Sequence, residues 1–184
     1  VRTHLWIVEE SLPASRFAAL EDSIVGQSDI PENQVHRVVG DSPAEAAERY
    51  EAALRETLGW REKGHDRLDF ALLPVLSGGE TFGVELRQPD APLVTVLESS
   101  VTMSARLLNA TRFLALLALG EGSAEAVRAI DHSPRRASDA MIPGGRLHAC
   151  DLRPLGGEVR WYVDESLCAE APALPPIPLD GETA

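Results

Sequence analysis

The stretch that decides the fold is LDFALLPVLSGGETFGV, residues 68–84, in which an apolar run ends abruptly in a Ser-Gly-Gly loop. A short apolar run bounded by turn signals is typical of a strand buried on both faces, although periodicity alone does not exclude a buried helix. In open α/β sheets, ligands bind at the carboxyl ends of the strands, which makes Ser77, Glu80 and Thr81 candidate site residues. The alternative is a tight turn that uses glycine for its positive φ.

Outside this stretch, segments with strand and helix patterns alternate along the chain. Asp41 or Ser42 can cap a helix that has Pro43 near its first position. The other predicted strands are 4–9, 35–39, 93–97, 101–104, 113–119, 147–152 and 159–163, and the predicted helices are 15–25, 43–60, 123–130 and 164–171. Alternation of this kind predicts a single α/β domain over residues 1–170 with a mostly parallel sheet, helices on both faces, and central strands 69–76 and 113–119. Residues 171–184 (APALPPIPLDGETA) are proline-rich and are predicted to form an extended tail.

Charge and composition exclude several classes of partner. The formal net charge of −12 disfavours nucleic-acid binding, because such a surface repels phosphate backbones. No apolar run approaches the length of a membrane span, and the first residues lack the pattern of a signal peptide. Cys150 and Cys168 form no metal or redox motif, and the five histidines lack metal-ligand spacing. We therefore expect a cytoplasmic protein without a metal or other cofactor.

Eight blocks of the sequence resemble, in order, motifs of the 6-phosphogluconolactonase family, within the wider group that includes glucosamine-6-phosphate deaminases. The IPENQVHR block is similar to the family's IPxENVHRI, and the WYVDE block is similar to its closing WFLDEAA. The eight blocks are His4–Glu9, Ser15–Phe17, Ile30–Arg37, Ala46–Leu54, Asp69–Val84, Val101–Arg112, Gly120–Ala126 and Trp161–Glu165. The resemblance implies a three-layer, Rossmann-like lactonase/deaminase fold. It also implies the family reaction, which hydrolyses 6-phospho-D-glucono-1,5-lactone to 6-phosphogluconate in the pentose phosphate pathway.

The same alignment of motifs shows where this chain departs from the family. Glu80 stands where the family has the histidine understood to activate water, and Ser100 and Ser123 stand where it has an arginine and a lysine. The family's first strand, with its phosphate-binding LSGGSTP loop, would precede Val1. We therefore expect either a fragment of a longer protein or a homologue that has lost its first βα units. The sheet edge left open by this loss is predicted to be covered by a protein partner or by the missing segment.

The candidate site is assigned by carrying the family's roles onto these positions. Glu80 is the candidate catalytic base, and Ser77, Gly78, Gly79, Asn109 and Arg112 are the candidate substrate-binding residues for a phosphosugar lactone. Three of these residues have a structural alternative. Glu80 can be a surface loop residue, Arg112 can bond to backbone carbonyls, and Asn109 can cap or brace a turn.

Two functions follow from this assignment. The first is a degenerate, non-catalytic lactonase-like domain that acts as an interaction or structural module. The second is an active sugar-lactone hydrolase in which Glu80 replaces the family's histidine.

Overall fold

The structure is a computed structural model that describes residues 3–8, 10–11, 21–59, 67–132 and 145–168. Its strands are β1 (Leu5–Trp6), β2 (Glu10–Ser11), β3 (Val35–His36), β4 (Phe70–Pro74), β5 (Glu80–Val84), β6 (Val94–Leu97), β7 (Ser100–Met103), β8 (Phe113–Ala118), β9 (Arg146–His148) and β10 (Glu158–Val163). Its α-helices are α1 (Pro43–Leu58), α2 (Ala105–Leu108), α3 (Ala124–His132) and α4 (Glu165–Cys168).

A three-stranded parallel sheet in the order β10-β8-β4 forms the centre of the described structure. The register pairs Leu73 with Leu116 and Leu116 with Trp161, so these three side chains lie on the same face. That inner face packs against the core, where Leu114 and Leu116 are fully buried. The predicted α/β class with a parallel sheet is confirmed.

Three smaller sheets surround the central one. The strands β1 and β3 pair in parallel, whereas β2-β7-β6 and β5-β9 are antiparallel. The pair β6–β7 is a hairpin closed by Glu98 and Ser99, in which Glu98 adopts a φ of 57°. The sheet content is therefore more mixed than the sequence predicted.

Helix α1 begins as its sequence predicts. Ser42 is the N-cap, and its hydroxyl accepts a hydrogen bond from the backbone N–H of Glu45 at 3.3 Å. Pro43 occupies the first turn, and Gly59 ends the helix in the left-handed conformation, with φ 58°. The buried side of the helix, which includes Tyr50 and Leu54, packs against the hairpin β6–β7.

Several predicted elements differ from those observed. Strand β4 was predicted to be central, but among the described strands it lies at one end of the three-stranded sheet. Residues 147–152 were predicted as one strand, but β9 ends at His148 and a 3-10 turn covers Ala149–Asp151, where the N–H of Leu152 bonds to the carbonyl of Ala149. The predicted strand 35–39 contains only two paired residues.

Other predictions fall wholly or partly outside the described residues. Of the predicted helix 15–25, only Glu21–Val25 is described, as a single π-helical turn closed by a hydrogen bond from Gly26 N–H to the carbonyl of Glu21 at 2.7 Å. The proposed tail, residues 171–184, lies outside the described ranges, so the domain boundary at 170 stays a prediction. In the described part of the chain, no helix combines the length and apolar character needed to cross a membrane.

Candidate functional site

The predicted loop lies at the carboxyl end of β4, beside the carboxyl end of β8. After β4, Ser77–Gly79 form a 3-10 turn, and after β8, Glu121–Ser123 form another that leads directly into α3. The two turns pack against each other, and a Cβ added at Gly122 would lie 3.8 Å from Cβ of Ser77. The structure thus places the Ser-Gly-Gly loop in the part of an α/β sheet where ligands usually bind.

The backbone of the loop requires both of its glycines. Gly78 and Gly79 have φ angles of 82° and 87°, which are costly for residues with a Cβ. The N–H of Gly79 bonds to the carbonyl of Leu76 at 3.1 Å, and the N–H of Leu76 bonds to the carbonyl of Glu80 at 2.7 Å. The hydroxyl of Thr81, which is fully buried, donates to the carbonyl of Pro74 at 2.7 Å. The structure therefore also agrees with the alternative that this motif is a tight turn built on glycines with positive φ.

His148, at the end of β9, contacts this loop and was not singled out from the sequence. Its Nε2 lies 3.2 Å from the carbonyl oxygen of Gly78, and its Nδ1 lies 3.2 Å from the backbone nitrogen of Cys150. Because a backbone N–H can only donate, Nδ1 is the acceptor and Nε2–H donates to Gly78. A Cβ on Gly79 would clash with the ring. Neither nitrogen of this imidazole is free to accept a proton from water.

Glu80, the candidate base, is the first residue of β5 and is exposed. It is the ladder partner of His148 in the antiparallel pair β5–β9, so both side chains leave the same face of that ladder. Directly opposed residues have Cβ atoms roughly 4.5–5.5 Å apart. In the described part of the chain, no hydrogen bond or ion pair holds the carboxylate of Glu80.

The positions of the two family cations are occupied by serines with different surroundings. Ser123 is 2% exposed, and its hydroxyl donates to the carbonyl of Val75 at 2.9 Å, with the carbonyl of Leu119 at 3.3 Å. Its side chain therefore ties the two turns together and does not face a ligand. Ser100 begins β7, where it pairs with Leu97.

Asp164 lies in the turn that follows β10, at the same end of the sheet. Asp164 follows β10, and its carboxylate accepts hydrogen bonds from the backbone N–H and the hydroxyl of Ser166, both at 3.0 Å. Hydrogen bonds from Ser166, and from the N–H of Gly120, hold the pKa of Asp164 below its ordinary value. This group therefore stays ionised at neutral pH, in the turn after β10, which β8 separates from β4 and the Ser-Gly-Gly loop.

Asn109 and Arg112 lie at the opposite end of the central sheet, because they precede β8 whereas the Ser-Gly-Gly loop follows β4. The seven steps along the chain from Arg112 to Leu119 span about 23 Å at about 3.3 Å per residue. Oδ1 of Asn109 accepts the N–H of Arg153 at 2.6 Å. Arg112 pairs with Asp69 at 3.4 Å in an exposed ion pair. The structure brings Ser77, Gly78, Gly79 and Glu80 together but does not bring Asn109 or Arg112 to them.

A cavity of about 350 Å³ lies elsewhere, against the inner face of β10. It is lined by Ala149, Cys150, Leu152, Arg153, Pro154, Gly157, Val159 and Trp161. None of the predicted site residues lines it. Among the described residues, no group of three or more His, Cys, Asp or Glu side chains is placed to hold a metal ion.

The fold and the loop position define an α/β protein with a candidate site at the carboxyl ends of its parallel strands, and known proteins share this fold. The chain is 23% identical over 180 residues to a 6-phosphogluconolactonase from Aggregatibacter actinomycetemcomitans, covering 88% of this chain and 71% of that protein. No protein-family profile matches the chain.

Two solved structures show the same fold. A crystal structure of devB protein has a TM-score of 0.74 and 27% identity, covering 90% of this chain and 73% of that one. A 6-phosphogluconolactonase from Trypanosoma cruzi has a TM-score of 0.65 and 19% identity, covering 90% of this chain and 71% of that one. The resemblance to the 6-phosphogluconolactonase family that the sequence predicted is thus supported by a curated relative and by the fold.

Proposed function

We propose that this chain is a 6-phosphogluconolactonase-like domain that has kept the family's fold, lacks lactone hydrolysis, and serves as an interaction or structural module. The observation that carries the proposal is the state of His148. Among the side chains that the structure describes, it is the imidazole that contacts the Ser-Gly-Gly loop, and both of its nitrogens are engaged by backbone groups. A general base needs a free lone pair within reach of the water whose proton it takes.

The positions of the candidate anion contacts support the same proposal. A 6-phosphorylated lactone needs cationic side chains or backbone amides for its phosphate. Arg112 is at the far end of the sheet from the loop, and Ser123 is buried against backbone carbonyls. The exposed Glu80 instead places negative charge at the loop. An anionic substrate would therefore meet repulsion at this position.

A second candidate function is an active sugar-lactone hydrolase, and the pairing of Glu80 with His148 favours it specifically. In this mechanism the carboxylate of Glu80 takes a proton from water while the oxygen of that water attacks C1 of the lactone. The ring C1–O bond then breaks, the ring oxygen takes up a proton, and the open-chain acid leaves. His148 would have to give up its bond with Gly78 to take part.

The experiment follows the disappearance of 6-phospho-D-glucono-1,5-lactone at neutral pH against buffer alone, for the unaltered chain, Glu80→Gln and His148→Gln. The proposal expects all three to match the spontaneous rate. A general base contributes roughly 10²–10⁴-fold, and the phosphate contacts that would position the lactone are missing as well. A rate well above buffer would overturn it. If that rate then collapses in Glu80→Gln, the second candidate is correct.

A further inference from the structure

The cavity of about 350 Å³ against the inner face of β10 has an uncharged lining with a single cationic side chain. Trp161 and Val159 of β10, which are both partly buried, line it together with Leu152 and Pro154. Arg153, which is exposed, lies between the last two in the chain and also lines the cavity. Cavities of this size that combine apolar side chains with a few polar groups are typical binding sites.

Arg153 is held in place by the backbone and has no acidic partner in the described part of the chain. Its Nη1 donates to the carbonyls of Cys150 and Leu152, the latter at 2.8 Å. A guanidinium has five N–H donors, and among the described residues the donors on Nε and Nη2 make no hydrogen bond. These donors can bind an anion. We therefore expect an occupant of the cavity that is mostly apolar and carries a carboxylate.

The proline-rich tail, residues 171–184, contains a three-residue repeat. Prolines occupy positions 172, 175 and 178, and Leu174, Ile177 and Asp180 follow the same spacing. A polyproline II helix has three residues per turn, so the repeat predicts that each of these sets forms one ridge of such a helix. The second ridge is apolar at its start and acidic at its end. Proline-rich segments in this conformation bind grooves that are lined by aromatic side chains.

We propose that residues 172–180 bind in this cavity as a polyproline II segment of the same chain. Leu174 and Ile177 then lie against Trp161, and the acidic end of their ridge pairs with the guanidinium of Arg153. The contact removes two aliphatic side chains and an indole from water, which is favourable. The prolines restrict the unbound segment, so less conformational entropy is lost when it binds.

The connection between β10 and the tail is short enough for this contact. Trp161 and Cys168 are at most about 18 Å apart, because the chain advances about 3.3 Å per residue in β10, about 3.6 Å in the link and about 1.5 Å in α4. The six steps from Cys168 to Leu174 extend about 19 Å in a polyproline II conformation. A ligand that is tethered this closely has an effective concentration in the millimolar range, so weak contacts are enough to hold it.

The charge of the undescribed stretches favours the tail over other occupants. Residues 12–20 carry an arginine and no acidic side chain, residues 60–66 carry as many basic as acidic side chains, and residues 133–144 carry two arginines and one aspartate. Residues 169–184 carry three acidic side chains and no basic one. The curated relative extends beyond this chain, which covers 71% of it, and the LSGGSTP motif that the family has before Val1 also lacks an acidic side chain. The tail is therefore the segment that complements the cation of the cavity.

Solution nuclear magnetic resonance on the whole 184-residue chain tests the proposal. The backbone order parameters of residues 174 and 177 should be about 0.85 when the tail is bound and below about 0.6 when it is released. Ile177→Asp places a carboxylate in the apolar part of the contact and should release the tail. Thr183→Asp is the matched control, because it adds the same charge outside residues 172–180 and should leave the tail bound. Arg153→Gln removes the cation and should lower the order parameters, and added salt should do the same in the unaltered chain.

A second measurement locates the bound tail. The methyl groups of Leu174 and Ile177 should give nuclear Overhauser effects to the indole of Trp161 in the unaltered chain. A synthetic peptide of residues 169–184, added to the Ile177→Asp chain, should shift the indole N–H resonance of Trp161. The same peptide with Ile177→Asp should not shift it.

Four outcomes would overturn the proposal. Order parameters below about 0.6 in the unaltered chain mean that the tail does not bind. An ordered tail that gives no Overhauser effect to Trp161, or that stays ordered in Ile177→Asp, binds elsewhere. An Overhauser effect between Trp161 and a different undescribed stretch assigns the cavity to that stretch. A tail that becomes ordered only at high protein concentration binds to a second copy. Because the readout is the binding of the tail, none of these outcomes depends on whether the lactone is hydrolysed.

Discussion

Glu80 and His148 are ladder partners across the antiparallel pair β5–β9, although 68 positions separate them along the chain. The pairing places a carboxylate and an imidazole on one face of the ladder, beside a loop whose backbone depends on two glycines with positive φ. His148 bonds to that loop through Gly78. A substitution at His148 is therefore expected to change the packing of this loop.

The first prediction concerns the packing of His148 on the loop. Gly79→Ala should destabilise the protein more than Gly78→Ala. Both substitutions place an alanine at a positive φ, which costs roughly 1–2 kcal/mol. Only at Gly79 does the new Cβ also clash with the His148 ring, whereas nothing lies within 4 Å of a Cβ at Gly78.

Urea denaturation of both variants measures the difference in the free energy of unfolding. Adding His148→Ala to each variant is the control. The second substitution should offset part of the loss for Gly79→Ala and none of it for Gly78→Ala. Equal losses for the two single alanine variants would contradict the packing described here.

The second prediction concerns Ser123, which links the turns after β4 and β8. Ser123→Ala should lower the free energy of unfolding by about 1 kcal/mol, because the carbonyl of Val75 loses a buried hydrogen bond. Ser123→Lys introduces the family's residue type at a position that is 2% exposed. It should cost several kcal/mol without restoring lactone hydrolysis, since an unpaired ammonium is costly to bury. Thermal melts and the lactone assay on both variants check this. A stable Ser123→Lys protein with new activity would show that the side chain can face a ligand.

Local signals predicted several parts of this fold correctly. Ser42 and Pro43 correctly indicate the start of α1. The apolar run at residues 113–119 forms β8, and the Ser-Gly-Gly motif forms a turn at the carboxyl end of β4. Each of these features depends on residues close together in the chain, such as a cap with its first turn or a glycine with its own φ. Sequence patterns predict such short-range interactions more reliably than contacts between distant parts of the chain.

The composition of the candidate site was less predictable, because it depends on contacts between distant parts of the chain. Nothing in the spacing of the histidines indicates that His148 meets Gly78, which lies 70 positions earlier. The separation of Arg112 from the loop could have been inferred. A residue that precedes a parallel strand lies at the amino end of the sheet, whereas residues that follow a neighbouring strand lie at its carboxyl end. Arg112 was assigned to the site from the family motif, which specifies residue types and carries no information on strand direction.

The third prediction separates the structural roles of Asn109 and Arg112. Asn109→Ala should lower the free energy of unfolding by about 1 kcal/mol, because the N–H of Arg153 loses its acceptor. Asn109→Asp keeps an acceptor oxygen and serves as the conservative control. Arg112→Ala removes an exposed ion pair with Asp69, and such pairs contribute roughly 0–1 kcal/mol. Chemical denaturation in low and high salt measures both effects. A larger loss for Arg112→Ala than for Asn109→Ala would contradict the assigned roles.

The fourth prediction is a pH dependence of stability that arises at His36. Burial, and then the nearby His4, lower the pKa of His36 below its ordinary value of 6.5. Nδ1 of His4 lies 2.9 Å from Nε2 of His36, and the ring of Trp6 stacks on that of His36 at 3.6 Å. A second proton on this pair would place two positive charges against each other.

The direction of the effect follows from proton linkage. Between the ordinary and the lowered pKa, His36 binds protons more readily in the unfolded chain than in the folded protein, so the free energy of unfolding falls as the pH falls. The stability is therefore fully present above about pH 6.5 and is lost progressively as the pH decreases toward the lowered pKa.

Urea denaturation at several values between pH 7.5 and pH 5 measures this slope for the unaltered chain, His36→Phe and His4→Gln. His36→Phe keeps an aromatic ring against Trp6 and removes the titrating group, so its stability should change less with pH. His4→Gln removes the neighbouring charge and leaves His36 partly buried, so its slope should be intermediate. If His36→Phe loses as much stability on acidification as the unaltered chain, the acid sensitivity arises from other groups and the assignment to His36 is wrong.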